Sequence, residues 1–181
     1  KSDPLLLSAG DELEALKKFS AKLEKLFPDM IFIGSNHGDF PLRKMFDSGL
    51  PSSMLRSYNE IYGVGKGWRF CDDLVIEDGQ EQTYFCHGIS KNGLKMAAQR
   101  GINVVQGHFH TDFRIDYISN PRNLLWAMHT GCLIDKKSLA FAYDALNLNR
   151  PILGMGMIVD GQPRLLPMLL DKTGNWTGVV P

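Results

Sequence analysis

Between positions 11 and 27, apolar residues recur mostly at intervals of three and four: Leu13, Leu16, Phe19, Leu23, Leu26 and Phe27. That spacing predicts one apolar stripe on an amphipathic helix. Asp11, Glu12 and Glu14 stand at its start and Lys17, Lys18, Lys22 and Lys25 further along, an order that suits the helix dipole. Gly10 and Pro28 punctuate the ends, so Gly10-Asp11 reads as a helix start. The period then changes. Met30–Ile33 is a short unbroken apolar run closed by Gly34, which predicts a buried strand. Residues 35–67 are mixed and turn-rich and predict short helices over one end of a sheet. Trp68–Glu77 and Thr83–Cys86 predict two strands joined through Asp78-Gly79, a hairpin signal. A short helix around Leu94–Gln99 precedes a second buried strand, Ile102–Val105. Arg114–Ile118 and Leu124–Met128 predict further strands and Leu139–Leu146 a helix. A closing hairpin joins Ile152–Val159 to Arg164–Leu170 through Asp160-Gly161.

Helix followed by buried strand is the rhythm of a layered α/β architecture. No repeat, low-complexity tract or linker interrupts it, so residues 1–181 read as one domain. That length suffices for a sizeable single core. No apolar run reaches the ~20 residues that span a bilayer, so no membrane partner is expected. A net charge of +0 argues against a broad basic surface for gripping nucleic acid, while leaving room for a local basic cleft. Cys71, Cys86 and Cys132 are odd in number and far apart, with no CxxC pair. They predict reduced thiols and a cytoplasmic location. The chain begins with Lys1 and no signal-peptide pattern follows, which suggests a processed or partial chain.

The candidate chemistry lies in the histidines. His37, His87 and the His108/His110 pair share one design, a β-rich apolar run ending in a polar turn that carries the imidazole. Carboxyl ends of strands in open α/β sheets form the edge where sites are assembled, so the three tips could converge. In an extended segment residues two apart point the same way, so His108 and His110 are expected to face one metal centre. Neutral imidazole suits zinc, iron, nickel or manganese-type ions. Taken singly, each histidine also suits an ordinary turn or strand end; the combination is what points to chemistry.

Gly34-Ser35-Asn36-His37, His87-Gly88 and Gly107-His108-Phe109-His110, in this order, resemble the last three signature blocks of the calcineurin-like metallophosphoesterases, which read Gly-Asn-His-Asp/Glu, a lone His and Gly-His-x-His. The wording around them, such as Phe27-Pro28-Asp29 and the long tail after Gly131-Cys132, is most similar to phage-encoded members. The resemblance implies a layered α-β-β-α sandwich and hydrolysis of phosphomonoester or phosphodiester bonds at a dinuclear centre of two divalent ions, whether Mn, Fe, Zn or Ni. It implies that Asn36, His87 and His108 ligate one metal and His110 the second. It also implies that His37 acts as general acid or charge stabiliser at the leaving group, where a histidine titrates close enough to neutrality to serve. Arg43, with Lys44, is a candidate for binding substrate phosphate, and Lys91 and Asn92 after His87 are similar candidates. His129 is expected to play a supporting or structural part. Phe40, Trp68 and Trp126 are expected in the core, as are the tail methionines Met155, Met157 and Met168.

Two departures from the family pattern stand out. Ser35 is inserted between Gly34 and Asn36, and Gly38 replaces the acidic residue, with Asp39 following one place later. The family's Asp-x-His and Gly-Asp blocks, which supply the remaining ligands, have no convincing counterpart. The expectation is therefore a sandwich incomplete at the N-terminus, its missing strands trimmed or supplied as a separate segment, and little phosphoesterase activity from these 181 residues alone. Two other readings stand beside this one. A degenerate phosphoesterase-like module would be structural or protein-binding and inactive. A metallo-β-lactamase-like hydrolase would use His108-x-His110-x-Asp112, although Phe113 stands where a second-metal histidine is needed. Within the phosphoesterase reading, nucleotides and nucleic acid are among the candidate substrates.

Overall fold

The computed structural model describes residues 8–35, 38, 40–79, 81–134 and 150–181. Asn36, His37 and the predicted helix Leu139–Leu146 lie outside them. The fold is mixed α/β, and the chain divides into two compact units, Lys1–Asp72 and Asp73–Pro181.

The first unit opens with α1 (Ala9–Leu26). The Ser8 side chain accepts from the Asp11 N–H while the Asp11 carboxylate accepts from the Ser8 N–H, a capping box that satisfies orphan donors at both positions. Gly10-Asp11 is thus a helix start, as its sequence predicts. Strand β1 (Met30–Ile33) pairs in parallel with β2 (Trp68–Cys71). A parallel pair needs a long crossover, and here it carries α2 (Phe40–Asp47), a 3-10 turn (Ser52–Met54) and α3 (Tyr58–Tyr62). Phe32, Tyr58, Tyr62, Trp68 and Phe70 cluster with ring centroids 5.1–6.4 Å apart. The Trp68 indole N–H donates to Phe27 O at 2.9 Å, which ties the end of α1 to this cluster.

The second unit holds a five-stranded sheet in the order β3-β4-β5-β7-β6, built from β3 (Asp73–Asp78), β4 (Glu81–Cys86), β5 (Asn103–Gln106), β6 (Phe113–Ser119) and β7 (Leu124–Thr130). The three inner strands β4, β5 and β7 run parallel, and the edge strands are antiparallel to their neighbours. The long strand expected over Trp68–Glu77 is broken at Asp72, and its halves, β2 and β3, belong to different sheets. The adjacent Asp72 and Asp73 interrupt the apolar pattern there, but which sheet each half joins is set by strand partners distant in the chain. Helix α4 (Gly93–Arg100) links β4 to β5 and packs Met96 and Ala97 against Tyr84, Cys86, Val104 and Ala127.

Strand alternation separates the two faces of this sheet. Ala127 and His129 face α4, where a Cβ on Gly93 would touch both. Met128 and Thr130 face the other way, toward the hairpin of β8 (Gly154–Val159) and β9 (Gln162–Pro167), where a Cβ on Gly156 would meet both. Gly154 is similarly pressed on the Phe113 ring, 2.7 Å from where its Cβ would stand. Glycines therefore form the inward face of β8, and Met155 and Met157, expected in the core, lie outward at 48% and 39% exposure. Only residues without side chains let the hairpin approach this closely. Trp68 and Trp126 are buried as expected. No helix among the described residues is long and apolar enough to cross a membrane.

Candidate metal centre

Because β4, β5 and β7 are parallel neighbours, their carboxyl ends share one edge of the sheet. Cys86, Gln106, His129 and Arg114 are successive partners across the last row of the ladder. One residue beyond that row stands His87, and two beyond it His108. Their imidazoles meet, with His87 Nε2 at 3.1 Å from His108 Nδ1 and ring centroids 4.9 Å apart. Residues 21 positions apart in sequence are thus in side-chain contact at the sheet edge.

Glycine makes the approach possible. Gly88 has φ 152°, and a Cβ there would come within 2.5 Å of His108 Cβ and 3.2 Å of Gly107 O. The backbone of His108 is equally particular. Its φ of 64° is left-handed, and the Phe109 N–H donates to Gly107 O at 2.7 Å. That is a three-residue γ-turn of the positive-φ kind, rare and strained. Such strain costs on the order of 1–3 kcal/mol and collects at binding and catalytic sites. Asp112 N–H then donates to Phe109 O at 2.8 Å, closing a second turn.

This geometry corrects the expectation for His108-Phe109-His110. The segment is two linked turns, so strand alternation does not direct both rings to one side. His110 is half-buried and its carbonyl accepts the Ile152 N–H at 2.8 Å. It does not complete a trio with His87 and His108: among the described residues, no group of three or more His, Cys, Asp or Glu is spaced to hold a metal ion. The Asp112 carboxylate faces Arg114 Nη1 at 3.6 Å and His129 Nδ1 at 3.9 Å. Arg43 is exposed on α2 in the first unit. Asn92 accepts from Lys95 N–H at 2.9 Å as the N-cap of α4, which gives it a structural role.

Two imidazole nitrogens bound to one ion at ~2.0–2.1 Å, at angles from octahedral to tetrahedral, lie about 2.8–3.4 Å apart. The 3.1 Å separation of His87 and His108 falls inside that range, so the pair fits as two donors to one cation. Cys86, directly before His87, packs into the core with Met96 and Ala97 of α4, where burial pushes its thiol up to about 11.

Below the pair lies a buried polar group of His129, expected in a supporting part, and Gln106, which sequence pattern did not single out. Gln106 and His129 are each 1% exposed. Gln106 interrupts the apolar Val104-Val105 run, and a polar residue in a buried strand is the signal that could have found it, since such groups need partners. His129 lies inside β7 and not beyond it. Burial, then the nearby Arg114 charge, lowers its pKa against the opposing pull of Asp112 and Asp116. No model of a known protein family matches the chain, and comparison with curated proteins finds no match.

Proposed function

We propose that this chain is a calcineurin-like metallophosphoesterase domain, hydrolysing phosphate mono- or diesters at a dinuclear centre. The observation that carries the reading is the 3.1 Å approach of His87 to His108 from the tips of adjacent parallel strands. The strained turn at His108 supports it, because backbone strain of this kind collects at binding and catalytic sites. The stacking of α4, the five-stranded sheet and the β8–β9 hairpin supports it too, as three layers in the helix–sheet–sheet order of an α-β-β-α sandwich.

In this reading His87 and His108 hold one ion with the side-chain oxygen of Asn36, and His110 contributes to the second. When bound, divalent cations supply Lewis-acid stabilisation of phosphoryl charge and lower the pKa of water. His37 serves the leaving-group oxygen and Arg43 meets substrate phosphate. Nucleotides and nucleic acid remain the candidate substrates.

Cobalt titration followed by visible absorption tests the pair directly. His87→Ala and His108→Ala should each weaken binding at least tenfold; undiminished binding in both overturns the reading. Turnover of bis-(p-nitrophenyl) phosphate with manganese tests the reaction. His108→Ala should nearly abolish turnover, while His37→Ala should slow it roughly 10²–10⁴-fold without loss of metal. The same 3.1 Å separation also suits an N–H···N bond in a non-catalytic module of this fold, which would bind no cobalt.

A further inference from the structure

Three consecutive residues after His87-Gly88 are tied by their backbone to the row of side chains beneath the site, which is buried at Gln106 and exposed at Arg114. Gln106 Oε1 accepts the Ile89 N–H at 3.3 Å, and Gln106 Nε2 donates to Ser90 O at 2.7 Å. Arg114 Nη2 donates to Lys91 O at 3.1 Å. The two bonds at Gln106 fix which end of its amide is nitrogen. The second hydrogen of that NH₂ is then directed at His129 Nε2, 3.3 Å away. A nitrogen that accepts carries no proton, so the neutral ring holds its proton on Nδ1. His129 Nδ1 is buried with no hydrogen-bond partner, facing the Asp112 carboxylate at 3.9 Å. Gly93, the first residue of α4, closes this group from above: a Cβ there would stand 3.0 Å from both Gln106 Nε2 and His129 Nε2.

We propose that Gln106, His129 and Arg114 form a positioning platform for the candidate centre. His129 orients the Gln106 amide, and Gln106 and Arg114 hold residues 89–91, so that the His87 ring stands over His108 before any ion arrives. A leaving donor or acceptor buried in this row has no water to turn to, so the arrangement is all or none. The inference rests on the metal-binding reading for its purpose but not for its geometry. Partners behind metal ligands commonly change affinity 10–100-fold when removed.

The test uses the full chain. Nitrogen-15 NMR should show the Nδ1-protonated tautomer at His129, and the Ile89 amide should exchange at least tenfold more slowly than the exposed amides of the same loop. A proton on Nε2, or an unprotected Ile89, overturns the platform even if every variant unfolds. In cobalt titration, Gln106→Met and His129→Phe should each weaken binding 10–100-fold with circular dichroism unchanged. His129→Gln, which restores an acceptor near the Nε2 position, should recover most of the affinity, and Arg114→Met should lose several-fold. Wild-type affinity in Gln106→Met, with His87→Ala still defective, overturns the platform and leaves the metal reading standing. No binding by the wild type, or binding insensitive to His87→Ala, overturns the metal reading instead, and the NMR result then decides the platform alone.

Discussion

Strands β1 and β4 end alike in sequence, each an apolar run followed by glycine or histidine and a polar turn, yet the two units support their tips differently. In the first unit, β1 has one paired neighbour among the described residues, and all four of its residues are half-buried. In the second, β4 and β5 lie inside a five-stranded sheet, with α4 over one face, and end above a row of buried, hydrogen-bonded polar side chains. The loop after β4 is thus restricted from beneath, through the backbone of Ile89, Ser90 and Lys91. Similar local patterns therefore carry unequal structural consequences.

The largest test of this contrast is core truncation. Met128, 1% exposed at the centre of β7, should lose about 2–5 kcal/mol on change to Ala, measured by urea unfolding. Ile31→Ala, at a half-buried position of β1, should cost about 1–2 kcal/mol, in proportion to the smaller area removed from water. Equal losses would break the distinction.

Next come two glycines with positive φ. Gly88→Ala meets both an unfavourable φ and a contact 2.5 Å from His108 Cβ, and should lower stability by about 1–3 kcal/mol and weaken cobalt binding at least tenfold. Gly49, at φ 73°, has nothing within 4 Å of its added Cβ. Its change to Ala should cost only the backbone preference of about 1–2 kcal/mol, read as a shift in thermal midpoint with cobalt binding unchanged.

Helix caps should erase the contrast, because they act locally. Asn92→Ala at α4 and Ser57→Ala at α3 should each cost about 1 kcal/mol by chemical denaturation. A much larger loss at Asn92 would mean that the loop after His87 depends on that cap.

The smallest expected effect is the pH response of one buried ring. Burial holds the His129 pKa below its ordinary value of about 6.5, with Arg114 acting in the same direction. On acidification the unfolded chain takes the proton first, so this contribution to stability is complete above about 6.5 and is lost as pH falls through the lowered folded value. Thermal midpoints should drop between pH 7.5 and 5.5, and His129→Gln should flatten that slope. A slope unchanged in the variant would remove His129 as its source.

Much of the fold could be read from residue order. The stripe from Leu13 to Leu26, the runs beginning at Met30 and Ile102, and the Asp78-Gly79 and Asp160-Gly161 turns all mark elements near their observed places. Each depends on a local period or a single backbone preference. The expectation failed where the cause was remote. The break at Asp72 falls at a pair of aspartates, but the assignment of its two halves to different sheets follows from strand partnership. Met155 and Met157 follow the period of a strand, but which side is inside depends on Gly154 and Gly156 meeting Phe113 and Met128. At the site, the histidines themselves were visible, and the contact of His87 with His108 followed from strand tips at one edge. The left-handed turn that separates His108 from His110 did not, because histidine tolerates both conformations.

By itself, the sequence determined which segments are helix or strand, where the tight turns fall and which strand ends carry imidazoles, because those depend on contacts a few residues apart. Only the tertiary structure decided which strands are neighbours, which face of β8 packs inward, and that Gln106 and His129 lie beneath the histidine pair. Those are choices among partners distant in the chain, settled by which pairing buries apolar surface while leaving the buried amide and ring with hydrogen bonds.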